Sequence, residues 1–181
     1  MRIGIDISQI AYEKTGVARY VRGLVAKLVK LDKQNEYLFF YSSLRKKMDN
    51  SFRQKLQGPK VRIKNFRLPP VLLDLLWNRW HICPIEWFVG DVDIFVTSDW
   101  TEPPVLKAKK VTILYDLVIY KHSRETDKKI VEVQKRKLDW VKKDVDLVVC
   151  ISAATKKDAR EILGIEEERL KVVYPGGIDR C

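Results

Sequence analysis

The chain has 181 residues, of which 46% are hydrophobic, 10% aromatic and 33% charged. One domain of that size buries about 70% of the surface its unfolded chain exposes, so a disordered tail, a fibrous repeat and a staple-dependent miniprotein are all excluded. Lys and Arg number 35 against 24 Asp and Glu, and the resulting charge of +11 favours an anionic partner: phosphates, nucleic acid or an anionic membrane surface.

Residues 2–7 alternate, with Ile3, Ile5 and Ile7 on one face, and read as a strand. A polar loop over 8–16 leads to Val17, Tyr20, Val21, Leu24, Leu28 and Leu31, the spacing of one helical face. Residues 37–41 form a short aromatic strand, followed by a basic helical or loop stretch. Gly58-Pro59 is a turn before a strand over 61–66, which Pro69-Pro70 ends. Residues 71–80 are helical, with Leu72, Leu73, Leu76 and Trp80 at helical spacing, and a second break falls at Cys83-Pro84. Strands come next over 93–97 and 111–115. A long charged helix over 124–143 carries Ile130, Val131, Leu138 and Val141 inward. After a strand over 147–151, Ser152 caps a helix that Gly164 closes. A last strand over 170–174 meets Pro175-Gly176-Gly177.

Strands alternating with helices predict a single Rossmann-like α/β domain over 1–175, with a mainly parallel sheet and helices on both faces. Ligands of such sheets sit beyond the carboxyl ends of the strands. That rule directs attention to the segments 8–16, 98–102, 115–116, 152–155 and 174–177.

Several common chemistries lack their motifs. No G-x-G-x-x-G comes after the first strand and no P-loop occurs, which argues against a nicotinamide enzyme and a P-loop NTPase. Asp91-Val92-Asp93 and Asp144-Val145-Asp146 match the D-x-D pattern that holds a metal in some sugar transferases. Each precedes its strand, the wrong end for a ligand, and reads as a solvated strand entry. His81 and Cys83 lack the further ligands a zinc site needs, so no metal is expected, and no other cofactor. Two histidines, His81 and His122, give an acyl-transfer triad little to draw on. The cysteines are Cys83, Cys150 and Cys181, an odd number without framework spacing. Asp6 interrupts the first apolar stretch, unlike a signal peptide. With no run of about 18 apolar residues, the expectation is a cytoplasmic protein.

Two positions carry more. Gly16 opens the first helix, where a phosphate can approach free amides at the positive end of the dipole; the plainer reading is a helix-entry glycine. Tyr115-Asp116 stands at the mouth of an apolar strand, where a carboxylate can bind hydroxyls or simply cap a loop. The tryptophans Trp77, Trp80, Trp87 and Trp100 read first as packing on the sheet and second as an aromatic edge for lipid headgroups.

Taken in order, these pieces resemble the N-terminal domain of retaining GT-B glycosyltransferases of the group 1, mannosyltransferase-like family. Residues 1–6 with Thr15-Gly16-Val17-Ala18-Arg19-Tyr20 resemble its opening strand, loop and helix. Residues 111–117 resemble its strand ending in His-Asp-Leu, with Tyr115 in place of the histidine. His122 falls where members often carry another histidine. Residues 146–155 resemble its strand and serine-capped helix, and 172–179 its hinge, so 176–181 would begin the link to a second domain. The resemblance implies transfer of a sugar from a nucleotide diphosphate sugar to a sugar or lipid-linked acceptor, with retained configuration. It places Gly16 against the donor diphosphate and Tyr115 and Asp116 beside the transferred sugar as the catalytic pair. Arg19, Tyr20, Trp100, His122 and Ser152 then line the acceptor side. The family's second domain grips the donor, so this domain by itself is expected to be inactive. Peripheral attachment to the inner membrane face is a further expectation. The alternative is a non-catalytic α/β module for an anionic membrane surface or another anionic partner. Nucleic acid is disfavoured because basic residues are spread through every segment and mixed with acids.

Overall fold

Apolar runs separated by amphipathic helices wind into one sheet in the computed structural model, which describes residues 1–121 and 125–176. The strands are β1 (Arg2–Asp6), β2 (Glu36–Ser42), β3 (Val61–Phe66), β4 (Ile94–Ser98), β5 (Lys109–Leu114), β6 (Leu147–Cys150) and β7 (Leu170–Val172). They lie in the order β3-β2-β1-β4-β5-β6-β7. Every neighbouring pair is parallel, so the sheet is wholly rather than mainly parallel. The chain winds outward from β1 through β2 and β3, then returns to lay β4 on the other side of β1, with Ile5 opposite Val96. The winding direction reverses there, and a doubly wound sheet opens its ligand crevice at that reversal.

The helices are α1 (Gly16–Leu31), α2 (Asn50–Lys55), α3 (Pro70–Leu73), α4 (Glu86–Val89), α5 (Val118–Lys121), α6 (Lys128–Asp144) and α7 (Ala153–Leu163). Alternation along β2 sorts the core. Tyr37, Phe39 and Tyr41 pack with Ile5, Val21 and Val25 under α1 and with Phe52 of α2. Leu38 and Phe40 face the other way, onto Phe95, Trp77, Ile85 and Val89. A third cluster joins α6 and α7 to β5 and β6 through Leu138, Val141, Val148, Ala159 and Leu163. Gly4 is required by close approach, since a Cβ there would stand 2.5 Å from Phe95 Cδ2.

Local capping sets the helix ends. Thr15 Oγ1 accepts the Ala18 N–H at 3.1 Å, Asp127 Oδ1 the Lys129 N–H at 2.8 Å and Ser152 Oγ the Thr155 N–H at 3.0 Å. Gly164 ends α7 at φ 67°, in the left-handed region that glycine tolerates.

Three expectations change. The charged helix starts at Lys128, not 124, because Asp127 caps it there. Its inner face carries Val131, Leu138 and Val141, but Ile130 is 39% exposed and the position between them is taken by buried Lys137. The helix over 71–80 is α-helical only to Leu73. Residues 74–79 are π-helical, with the Trp80 N–H reaching back five residues to the Leu75 carbonyl at 3.0 Å.

The D-x-D pairs do structural work at the amino edge of the sheet. Asp93 accepts the Arg2 N–H at 2.7 Å, and Asp146 accepts the Lys110 N–H at 2.8 Å. His81 stacks on Trp140 at 3.6 Å and meets Asp144 at 3.1 Å, while the Cys83 carbonyl accepts the Trp77 indole N–H at 3.0 Å. Among the described residues no group of three His, Cys, Asp or Glu side chains is placed to hold a metal ion. Nor is any described helix long and apolar enough to cross a membrane.

Candidate functional site

At the carboxyl edge the N-terminal half of α1 separates two hollows. The first, of about 470 Å³, fills the crevice between the ends of β1 and β4. Asp6, Gln9 and Tyr12 line its β1 side, Asp99 and Trp100 its β4 side, and Val71, Leu73 and Asp74 its outer wall. The second is a more open cleft of about 820 Å³ along the other flank of α1. Gly16, Arg19, Tyr20, Lys27, Tyr115, Asp116 and Tyr174 line it. A small hollow of about 110 Å³ lies between them, walled by Val17, Asp99, Tyr115, Asp116, Gln134 and Lys137. Val17 borders all three.

The first cavity is rich in hydrogen-bond acceptors. Asp6 is buried; its carboxylate accepts the Ser8 N–H at 2.8 Å, and the Gln9 amide at 3.4 Å. Burial nonetheless pushes its carboxyl above the ordinary value. The same Gln9 amide group donates to the Ser98 carbonyl at 2.9 Å, which leaves Gln9 Oε1 buried without a partner. Asp99 sits at φ 62°, a left-handed backbone that a non-glycine residue holds only where its surroundings demand it. Burial lifts its carboxyl to about 6, against the opposing pull of Lys137 and a 3.3 Å hydrogen bond from the Gln134 amide.

Beneath this edge lies a buried ion cluster. Lys110 Nζ is 3.4 Å from Glu102 Oε1 and 2.8 Å from Asp144 Oδ2. Lys137 Nζ is 3.0 Å from Thr112 Oγ1 and 4.0 Å from Glu102 Oε2, and Thr97 donates to that same oxygen at 2.7 Å. Burial lowers the Lys137 pKa, while Glu102 and Asp99 hold it up. α6 thus presents an ammonium to the small hollow that joins the two larger ones.

The expected site residues divide among these places. Gly16, Arg19, Tyr20, Tyr115 and Asp116 share the open cleft. A Cβ on Gly16 would meet nothing within 4 Å, so neither packing nor backbone geometry demands glycine there. The Tyr115 ring meets Tyr20 edge-on at 5.4 Å. Burial raises its phenol well above the ordinary range, so the hydroxyl keeps its proton. Both Tyr115 Oη and Ser98 Oγ are buried without a well-formed hydrogen bond. Asp116 is exposed, and its Oδ1 accepts the Val118 N–H at 3.1 Å, capping α5. Trp100 stands apart, in the first cavity. The Ser152 hydroxyl is engaged at the start of α7, and Thr155 beside it donates to the Tyr115 carbonyl at 2.9 Å. His122 lies outside the described residues, as do positions 177–181 of the expected hinge.

Sequence reasoning marked the segment after β4 but did not single out Asp99, and it missed Asp6, Gln9 and Lys137. Asp6 read as part of an alternating strand. Nothing in a helical pattern announces that a lysine between Val131 and Val141 points inward. A search of curated proteins finds no match. The Glycosyltransferase Family 4 model, in contrast, matches residues 14–179, a span that holds all seven described helices and six of the seven described strands. With its doubly wound parallel sheet and a carboxyl-edge cleft at the switch point, the chain belongs to glycosyltransferase family 4, whose members take a nucleotide-sugar donor and an acceptor.

Proposed function

We propose that this domain is the acceptor-side half of a retaining glycosyltransferase. In this reading the acceptor enters the cavity between β1 and β4, and the donor diphosphate meets the open start of α1 at Gly16. The observation that carries it is the small hollow that shares Asp99 with the first cavity and Tyr115 and Asp116 with the open cleft. A sugar there would have the acceptor hydroxyl on the Asp99 side and the departing diphosphate on the Gly16 side. Retention, which the family resemblance implies, requires the hydroxyl to attack the face of the anomeric carbon that the diphosphate leaves. Asp99 orients the attacking hydroxyl, and Tyr115 offers a protonated phenol toward the sugar. Lys137 balances charge beneath them, and fixed donors of this kind supply most of the stabilisation in such reactions. Arg19 and the first amides of α1 favour a diphosphate.

A second domain supplies the remaining grip on the donor, so this domain by itself transfers nothing and binds nucleotides weakly. Calorimetry with UDP and GDP tests this assignment of halves. The expected result is no measurable binding at micromolar protein. Submicromolar binding would place the whole nucleotide site in this domain and overturn the assignment.

Peripheral membrane attachment is supported by one feature in particular. Trp80 and Trp87 are 59% and 70% exposed, and Val71 and Ile82 are also exposed. The basic residues of α1 do not extend this patch, because α1 and the segment carrying Trp77 pack on opposite faces of the sheet. Arg22 is in any case paired with Glu13 at 3.1 Å. Co-sedimentation with mixed anionic and neutral liposomes should show binding that Trp80→Ser and Trp87→Ser weaken. Binding unaffected by both substitutions would remove the tryptophans from the footprint.

A further inference from the structure

We infer that the cavity between β1 and β4 selects an acceptor group rich in hydrogen-bond donors and free of negative charge: a neutral or amine-bearing sugar ring rather than a phosphorylated one. This rests on the acceptor reading of the cavity and adds the chemical class of the ligand.

Among the described residues, no Lys, Arg or His lines the cavity. Arg136 approaches only from behind Asp74, whose carboxylate takes its guanidinium at 2.6 Å. Its acids are Asp6, Asp74 and Asp99, beside the neutral Ser8, Gln9, Ser42 and Thr101, and Gln9 Oε1 is buried without a partner. Both hydrogens of the Gln9 amide have acceptors, at 2.9 Å and 3.4 Å, while its oxygen accepts from no described group, so a donor on a bound ligand can satisfy it. A buried polar atom without a partner is costly, and it marks where a ligand group or water must sit. An anionic oxygen placed here would meet the carboxylates of Asp6, Asp74 and Asp99 with only neutral donors, and no cation, to offset them. Hydroxyls and ammonium groups supply the missing hydrogens.

Shape agrees with the charge. Tyr12 and Trp100 give aromatic walls, and Val71 and Leu73 an aliphatic one, as the apolar faces of a sugar ring require. About 470 Å³ is also the size expected of a small-molecule site. The protein keeps its cations elsewhere: Arg19 and Lys27 line the cleft on the far side of α1, where Gly16 opens. The anion-seeking and donor-seeking surfaces are therefore separated by the width of one helix.

The five tryptophans provide the readout. Each indole N–H gives one resonance in a nitrogen-15 correlation spectrum of the 181-residue protein, and Trp100→Phe identifies the one in the cavity. Methyl glucoside and glucosamine are expected to shift the Trp100 resonance while leaving Trp80 and Trp87 in place. Glucose 6-phosphate at equal concentration is expected to leave Trp100 unmoved. Asp99→Asn should weaken glucosamine about tenfold more than methyl glucoside, and Gln9→Leu should weaken both. If glucose 6-phosphate shifts Trp100 as strongly as the neutral sugars, charge selection is wrong although the cavity still takes a sugar. If none of the three shifts Trp100, the cavity is not the acceptor site and the reading beneath the inference falls with it.

Discussion

Two hollows meet at α1, yet among the described residues the charged lining of one is acids alone and that of the other cations and acids together. The cavity toward β1 and β4 gathers Asp6, Gln9, Asp74 and Asp99 and, among the described residues, has no cationic lining. The cleft on the other flank carries Arg19 near the Gly16 end of the helix and Lys27 about 16 Å from that end, matched by the acids Asp32 and Asp116. A chain of net charge +11 would be expected to spread positive potential everywhere. Instead it leaves one site acidic. The difference comes from topology: the acidic cavity is made by the loops leaving β1 and β4 at the reversal point, the mixed-charge cleft by the flank of α1. In the proposed reading the two surfaces serve one sugar, which meets both at the small hollow bordered by Val17, Asp99, Tyr115 and Asp116.

The harshest way to break this contrast is to remove the wall beneath it. Glu102 is fully buried and is the carboxylate shared by two buried lysines. Glu102→Ala should cost about 3–5 kcal/mol of unfolding free energy, because it strands Lys110 and Lys137 with too little negative charge. Denaturant melts of the two proteins measure it. A cost below about 1 kcal/mol would show that the cluster does not depend on Glu102.

Gly16→Leu attacks the mixed-charge cleft alone. Since a Cβ there meets only open space, the melting temperature should stay put. In an enzyme form that turns over, activity should fall at least tenfold, about 1.4 kcal/mol of transition-state stabilisation. Full activity would leave Gly16 as an ordinary helix-entry residue.

The acidic cavity makes its own prediction in pH. Asp99 has an ordinary value of 3.8 and is raised to about 6 in the folded protein. Across that window the folded state holds more protons than the unfolded one, so the stability contributed at this position is present at low pH and is lost as pH rises from about 4 to about 6. Asp99→Asn should flatten that part of the stability profile. Lys137→Met should move the loss to higher pH, because the ammonium is what holds the carboxyl down. An unchanged profile in both variants would remove Asp99 as its source.

The smallest expected change is in stability for Asp116→Asn. The residue is exposed and asparagine can still cap α5, so unfolding should shift by no more than about 0.5 kcal/mol. Turnover should fall regardless if the carboxylate meets the sugar. Unchanged turnover with a lowered melting temperature would reduce Asp116 to a cap.

Most of the framework can be read without coordinates, because it is written in period and punctuation. The alternation of β1, the spacing of Val17, Val21 and Leu28, the Ser152 cap and the Gly164 stop each encode one local decision. The position of the crevice comes from the same reading, through the rule about carboxyl ends. The cavity's character does not. Asp99 matters because a left-handed backbone turns it into the crevice, and Lys137 because Glu102 waits beneath α6. Both facts depend on partners far away in the chain. Trp77 and Trp80 illustrate the same limit on the surface: three residues apart on one helical stretch, the first is fully buried and the second mostly exposed, since π-helical backbone displaces the expected stripe.

The reversal at β1 and β4 also has a consequence in time. Arg2 and Asp93, which meet at the foot of that seam, are 91 residues apart, whereas β1, β2 and β3 join through shorter connections. Closing so long a loop before its contacts form is entropically costly, and distant parallel pairings of this kind are slow. The seam that holds the acidic cavity should therefore zip up late in folding, after the β1–β3 half has assembled. A ligand seated across it would bind only the finished protein and shift the folding equilibrium toward it.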